Sequence, residues 1–222
     1  MIAVAGKISD IQRICQDYDF SIQLDKAEQN RINAIHSEKK RRDSTLIRKL
    51  LLLMIETRSL INKDVLHIAY GSMGKPFIHT DASEQDLFVN WSHCRNWLAL
   101  VMGSHQNGVD IEEQRTYTNN LVERVLTNDE LLQYQALNKR RQDQYFFERW
   151  VMKESFVKAE GQGIGFGIDR LRFKETSHNG VYHLKEVEKE WYLKQYQLYP
   201  DVHLGFCSLS EIDILELDLH IL

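Results

Sequence analysis

The chain has 222 residues, 43% of them hydrophobic and 27% charged, and a formal net charge of −4. That length supports one large domain or two smaller halves with a sizeable core. The acidic balance argues against general nucleic-acid affinity, and the longest apolar run, Leu50 to Ile55, is far too short to span a bilayer. Cys15, Cys94 and Cys207 are far apart and form no CxxC pair, so neither a zinc site nor a disulfide framework is expected and a reduced cytoplasmic setting fits. Met1 to Gly6 lacks the basic opening of a signal peptide.

Ile2 to Ala5 reads as a short strand. Asp25, with Glu28 three residues on, makes a capping-box-like start for a helix carrying Ile32 and Ile35 on one face. The basic run Lys39-Lys40-Arg41-Arg42 follows. Asp43 or Ser44 is expected to cap a second helix, in which Leu46, Ile47, Leu50, Leu51, Leu53 and Met54 form a broad apolar stripe. Val65 to Ala69, Leu87 to Asn90 and Trp97 to Met102 read as strands, with a break at Gly71 to Gly74. Asn107-Gly108 predicts a hairpin turn feeding the strand Val109 to Glu112.

The second part opens with helices. Leu121 to Leu126 and Leu131 to Leu137 read as two short ones, with a capping box at Thr127 and Glu130. A longer helix is expected over roughly Gln142 to Glu160, ended by the run Gly161, Gly163, Gly165 and Gly167. Strands follow at Asp169 to Lys174, Val181 to Lys185, Trp191 to Tyr199 and Val202 to Ser208, with a second hairpin turn at Asn179-Gly180. Ile212 to Leu219 alternates apolar and acidic residues, as an edge strand would. Helices and strands, then helices and strands again, predict an α+β fold in two halves, 1–104 and 105–222. A site is expected at their junction.

Three short blocks carry chemistry. Asp110 and Glu112 share one face of a strand, with Ile111 turned into the core and no cationic neighbour to balance them. Two close carboxylates repel unless a proton or cation lies between them, and hard oxygen ligands in small number suit Mg²⁺. An exposed acidic strand face would look the same. Trp150, Glu154 and Lys158 share a helix face, either as a surface ion pair or as a working carboxylate and ammonium. Ser92-His93 sits between strands with no nucleophile elbow, and Gly74-Lys75-Pro76 is a stiff turn but not a Walker A loop.

Taken together, Gly74-Lys75-Pro76, Asn90-x-Ser92-His93, Gly108-Val109-Asp110-Ile111-Glu112 and Trp150-x-x-Lys153-Glu154-Ser155-x-x-Lys158, with Gly161 and Gly163 after them, resemble the Sfp-type 4′-phosphopantetheinyl transferases. The match in order and spacing runs from about residue 70 to 170. The resemblance implies two similar α/β halves forming a pseudo-dimer in one chain, active as a monomer, with the site in the cleft between them. It implies transfer of the phosphopantetheine arm of coenzyme A to a serine of an apo acyl, peptidyl or aryl carrier protein, releasing 3′,5′-ADP. By motif, Asp110, Glu112 and Glu154 would hold Mg²⁺; Lys75, Pro76, Ser92, His93, Lys153 and Lys158 would contact the coenzyme, with Arg41 and Arg42, or Lys39, Lys40 or Arg48, as candidates for its 3′-phosphate. Glu154, Lys158 and His93 would be catalytic, the serine proton passing to Glu154 or a metal-linked water. Glu130 lies where the family often has another acid. The alternatives are another Mg²⁺-dependent nucleotide phosphotransferase or pyrophosphohydrolase, and a non-catalytic coenzyme A-binding module. Neither a membrane nor nucleic acid is an expected partner.

Overall fold

A computed structural model describes residues 1–58, 60, 64–71, 74–79, 86–161, 167–185 and 189–222. Gly163 and Gly165 lie outside these. In chain order, β1 (Ile2–Lys7), α1 (Ile8–Asp17), β2 (Gln23–Leu24), α2 (Lys26–Asn33), α3 (Glu38–Thr57), β3 (Val65–Leu66), β4 (Ile68–Tyr70), β5 (Pro76–Ile78), β6 (Leu87–Cys94) and β7 (Trp97–Gly103) make the first half. Then come β8 (Asn107–Glu113), α4 (Asn119–Val125), α5 (Asn128–Gln135), α6 (Lys139–Glu160), β9 (Arg172–Glu175), β10 (Val181–Lys185), β11 (Trp191–Tyr199), β12 (Val202–Ser208), α7 (Glu211–Leu215) and β13 (Asp218–Ile221).

The two halves repeat one topology. The first runs β1, long helix α3, then β4 to β7, in the sheet order β1-β7-β6-β5-β4; the second runs β8, long helix α6, then β9 to β12, in the order β8-β12-β11-β10-β9. In each, the first strand pairs antiparallel with the last. This is the pseudo-dimeric α+β arrangement expected from the resemblance. β13 breaks the symmetry: it returns to the first sheet and pairs parallel with β1.

Each half has its own core. Leu46, Ile47, Leu50, Leu51, Met54 and Ile55 of α3 pack on Val89, Leu98 and Leu100. Phe146, Phe147, Met152 and Phe156 of α6 pack with Trp191, Leu193 and Cys207. A third cluster forms the seam: Ala3, Ala5, Ala99 and Val101 from the first sheet against Val109, Ile111, Leu204 and Phe206 from the second. An apolar seam of buried residues resists hinge motion between halves, so a site built across it is held rigidly.

Several expected elements differ. α3 starts at Glu38, five residues before Asp43, with Ser37 as N-cap, so the basic run forms its first turns. The helix α1 was not foreseen; only Ile11 and Cys15 in it are buried, too sparse a stripe to read. Asn107-Gly108 is not a turn but the buried start of β8. The chain turns earlier, and glycine is needed there for another reason: a Cβ on Gly108 would lie 2.1 Å from the Ser155 carbonyl oxygen of α6. Gly205 in β12 has the same task, its Cβ position being 2.4 Å from the Val151 carbonyl oxygen. The long helix thus lies directly on bare backbone. Ile212 to Leu219 is not one strand: α7 occupies its start, and only its last two residues enter β13.

Candidate active site

Three elements meet at the seam. β6 brings Ser92, β8 brings Asp110 and Glu112, and α6 brings Glu154 and Lys158. The strands are fastened across the seam by two buried amide side chains. Asn90 Oδ1 accepts from the Val109 backbone N–H at 3.1 Å, and Asn107 Nδ2 donates to the Phe88 carbonyl at 3.0 Å. β8 is the edge strand of its sheet, so these bonds satisfy groups the ladder leaves open. Asn90 was visible as part of a motif; the role of Asn107 was hidden by its turn-like neighbour glycine.

Asp110 is 4% exposed. Its Oδ1 accepts from Ser92 Oγ at 2.8 Å and from Lys158 Nζ at 2.7 Å. Its Oδ2 is buried and has no hydrogen-bond partner among the described residues. Glu112 shares the strand face and is ion-paired with Arg115, three residues on. The acidic pair therefore has cationic neighbours, Arg115 and Lys158, which strand reading alone overlooked. Burial holds Glu112 above its ordinary range, with Asp110 adding to the effect and the Arg115 hydrogen bond opposing it. Burial likewise pushes Glu154 from 4.5 up to about 7; Asp110 and Glu112 add to this and Lys158 opposes it. The three carboxylates thus lie within electrostatic reach of one another.

Glu154 and Lys158 do not form the surface i, i+4 pair that their spacing allowed. Lys158 reaches across the seam to Asp110 instead. Among the described residues no group of three or more His, Cys, Asp or Glu side chains converges as a ready metal cage. The donor set still fits a hard cation: an orphaned buried carboxylate oxygen, beside two acids whose proton affinity is raised.

Lys75 comes from the first half to the end of α6. Gly74, at φ 78°, turns the chain, Pro76 opens β5, and the Lys75 ammonium donates to the Ala159 carbonyl, next to Lys158. A cation suits a helix C-terminus. Burial lowers the Lys75 pKa to about 8.

Other nominated residues are placed elsewhere. Lys153 is fully buried, its Nζ donating to Glu130 Oε2 and to the Val125 carbonyl, both at 2.6 Å. It ties α4 and α5 to α6 and does not face a coenzyme. Glu130 is likewise part of the frame, since it also closes the capping box with Thr127. His93 is exposed on the face of β6 opposite Ser92, so the structure does not bring it to Glu154 or Lys158. Arg41 and Arg42 line a groove with Gln12, Asn33, Thr45 and Lys49, away from the seam cluster. Arg48, also basic, is spent in the core: it is paired with Glu28 at 2.8 Å, bonded to Tyr70, and stacked 4.4 Å from the Trp91 ring.

A groove opens beside Glu154, lined by Leu121, Val125, Trp150 and Ile168 and by the charged Glu123, Arg124 and Asp169. Arg140 and Arg141 line a different one, with Gln114, Gln144 and Gln197.

Residues 106–207, from the turn before β8 into β12, match the model of the 4′-phosphopantetheinyl transferase superfamily. A 4′-phosphopantetheinyl transferase of Bacillus subtilis is 28% identical over 149 residues, covering 65% of each chain. The 4′-phosphopantetheinyl transferase Sfp, also of Bacillus subtilis, is 27% identical over 166 residues, covering 74% of this chain and 73% of that one. A holo-[acyl-carrier-protein] synthase of Streptococcus sanguinis is 39% identical over 75 residues, 31% of this chain and 59% of that one. The chain therefore spans about two thirds of the length of the Bacillus relatives. The repeated topology, the seam cluster and these matches make the chain similar to the Sfp-type 4′-phosphopantetheinyl transferases, with the superfamily match lying in its second half.

Proposed function

We propose that this chain moves the 4′-phosphopantetheine arm of coenzyme A onto a serine of an apo acyl, peptidyl or aryl carrier protein and releases 3′,5′-ADP. The observation that carries the reading is the seam cluster, in which Asp110, Glu112, Glu154 and Lys158 from two elements are held within reach of one another. The serine Oγ forms a bond to the phosphorus on the pantetheine side of the pyrophosphate. The bond from that phosphorus to the bridging oxygen breaks, and the electron pair leaves with 3′,5′-ADP. The serine proton passes to the Glu154 carboxylate, whose proton affinity burial raises above that of an ordinary carboxylate. The Lys158 ammonium meets the charge growing on the departing phosphate. Ser92 keeps Asp110 oriented, and Lys75 supplies a second cation from the other half.

Asp110, Glu112 and Glu154 would hold Mg²⁺, and when bound its charge would neutralise pyrophosphate oxygens. Mg²⁺ is held through one or two carboxylates plus substrate phosphates and needs no full protein cage. Both halves come from one chain, so a monomer suffices. No helix among the described residues is long and apolar enough to cross a membrane, and the described cysteines are free; a cytoplasmic setting is the reading these support.

Mass spectrometry of a panel of apo carriers after incubation with coenzyme A and Mg²⁺ tests the proposal. One carrier should gain the mass of a phosphopantetheine arm on serine. Release of 3′,5′-ADP at the same rate without any carrier would favour a pyrophosphohydrolase instead.

The carrier is expected to dock at the groove beside Glu154, on α4 and α6, with Arg124 at its edge. Carriers of this kind are acidic, and Arg124 is the one cation among the described residues lining this groove, beside Glu123, Glu154 and Asp169, so it is the side chain a carrier acid is expected to pair with. Arg124→Glu should lower kcat/KM for the carrier and flatten its salt dependence. Arg140→Glu with Arg141→Glu should have the smaller effect, because they line a separate groove. The reverse ranking would move docking to the start of α6.

A further inference from the structure

The acid that the proposed function gives to the metal is the acid that Lys158 occupies. We infer that Lys158 is the resident counter-cation of Asp110 in the ligand-free protein, exchanged for the divalent metal when that arrives, and thereby released towards the departing phosphate. This rests on the reading of Asp110, Glu112 and Glu154 as metal-holding residues.

The geometry favours exchange over a fixed pair. The two oxygens of Asp110 are treated differently: Oδ1 has two donors, Ser92 and Lys158, while Oδ2 is buried with none among the described residues. Ser92 Oγ anchors the carboxylate whether or not Lys158 is present. Asp110 itself is only 6% exposed at its side chain, whereas Lys158 is 29% exposed, so the ammonium has a way out to solvent and the acid does not. Lys153, on the same helix, shows what a permanent pair looks like. Its side chain is 0% exposed, and it holds both Glu130 and a backbone carbonyl.

The charge balance points the same way. Glu112 has Arg115 as its partner, and Glu154 has no ion pair among the described residues. One ammonium therefore serves Asp110 and moderates Glu154 at once. A buried carboxylate without a cation is costly, so an empty site built only of acids would resist folding. A place-holding lysine removes that cost. A divalent ion brings twice the charge to the same acids and can displace it. The released ammonium is on the helix face it shares with Glu154, which the proposed reaction needs it to be.

The test measures Mn²⁺ binding without coenzyme A, by electron paramagnetic resonance of the free ion, and so does not depend on turnover. Lys158→Met removes the competitor, and Mn²⁺ should bind more tightly, by about tenfold or more, if a paired cation must otherwise be displaced. Lys158→Arg keeps the charge and should stay near the wild type. In the wild type, which needs no substitution to fold, amine labelling followed by mass spectrometry should show Lys158 becoming more reactive when Mn²⁺ is added. Lys153 should stay unreactive in both states and serves as the internal reference. Unchanged or weaker Mn²⁺ binding by Lys158→Met, or Lys158 labelling indifferent to Mn²⁺, would overturn the exchange while leaving the metal site standing. Mn²⁺ binding that ignores Asp110→Asn would instead bring down the metal reading, and the exchange with it.

Discussion

Asp110→Ala is expected to remove nearly all transfer activity and leave the fold in place. Asp110 is the one acid that touches both other parties at the seam, accepting from Ser92 of the first half and from Lys158 of α6. Its free buried oxygen is the best candidate for a direct cation contact. Loss of one preorganised electrostatic group in a water-poor site costs about 10²–10³-fold in turnover, and here the metal would be weakened as well. The fold should survive because the seam rests on apolar packing of Val101, Val109, Ile111 and Phe206 and on the Asn90 and Asn107 bonds, none of which uses Asp110. Lys158 is partly exposed and can turn to water once its partner is gone. Asp110→Asn separates the effects, since its amide oxygen still accepts from Ser92 while its charge is lost. Both variants should keep the far-ultraviolet circular dichroism of the parent. Full activity in EDTA, or a fully active Asp110→Asn, would remove the metal from the mechanism.

Much of this was legible in the residues. Strand β8 announced two carboxylates on one face, and the capping box at Thr127 and Glu130 forms as read. β10, β11 and β12 run over the residues expected from their alternation and turns. What stayed hidden depends on contacts across the chain. Nothing local says that Lys158 will pair with Asp110, 48 residues away, when Glu154 lies one helical turn from it. Lys153 looked like a ligand-facing cation because it sits beside Glu154; only the packing of α4 and α5 shows that it is enclosed. Gly108 looked like a turn glycine because turns and close backbone approaches ask for the same residue. The repeat was invisible as sequence because sheet order is set by backbone pairing, which tolerates different side chains in the two copies. The outer position of β13 could not be read either, since its partner β1 is at the far end of the chain.

Glu154→Gln is expected to lower turnover by about 10²-fold or more, the loss typical of a missing acid–base group. The amide keeps the shape of the side chain on α6 but can neither carry charge nor accept the serine proton. Coenzyme A should still bind, more weakly if the metal is held less well. The variant also has a signature in stability. Burial, with Asp110 and Glu112, raises the Glu154 pKa from 4.5 to about 7, so the folded protein holds this proton more tightly than the unfolded chain does. The stabilisation from that proton is complete below 4.5 and is lost as pH rises through about 7. In metal-free protein, the wild type should therefore lose melting temperature relative to Glu154→Gln between these pH values, with the gap largest above the upper one. A divalent cation favours the ionised carboxylate and should narrow that gap. The acidic limb of kcat/KM, which a bound divalent cation should move below the metal-free value of about 7 in the wild type, should be missing from whatever activity the variant retains. A variant with near-normal kcat would take Glu154 out of the reaction. One that is slow but shows the same melting profile as the wild type would keep it in the reaction and deny that its burial is what tunes it.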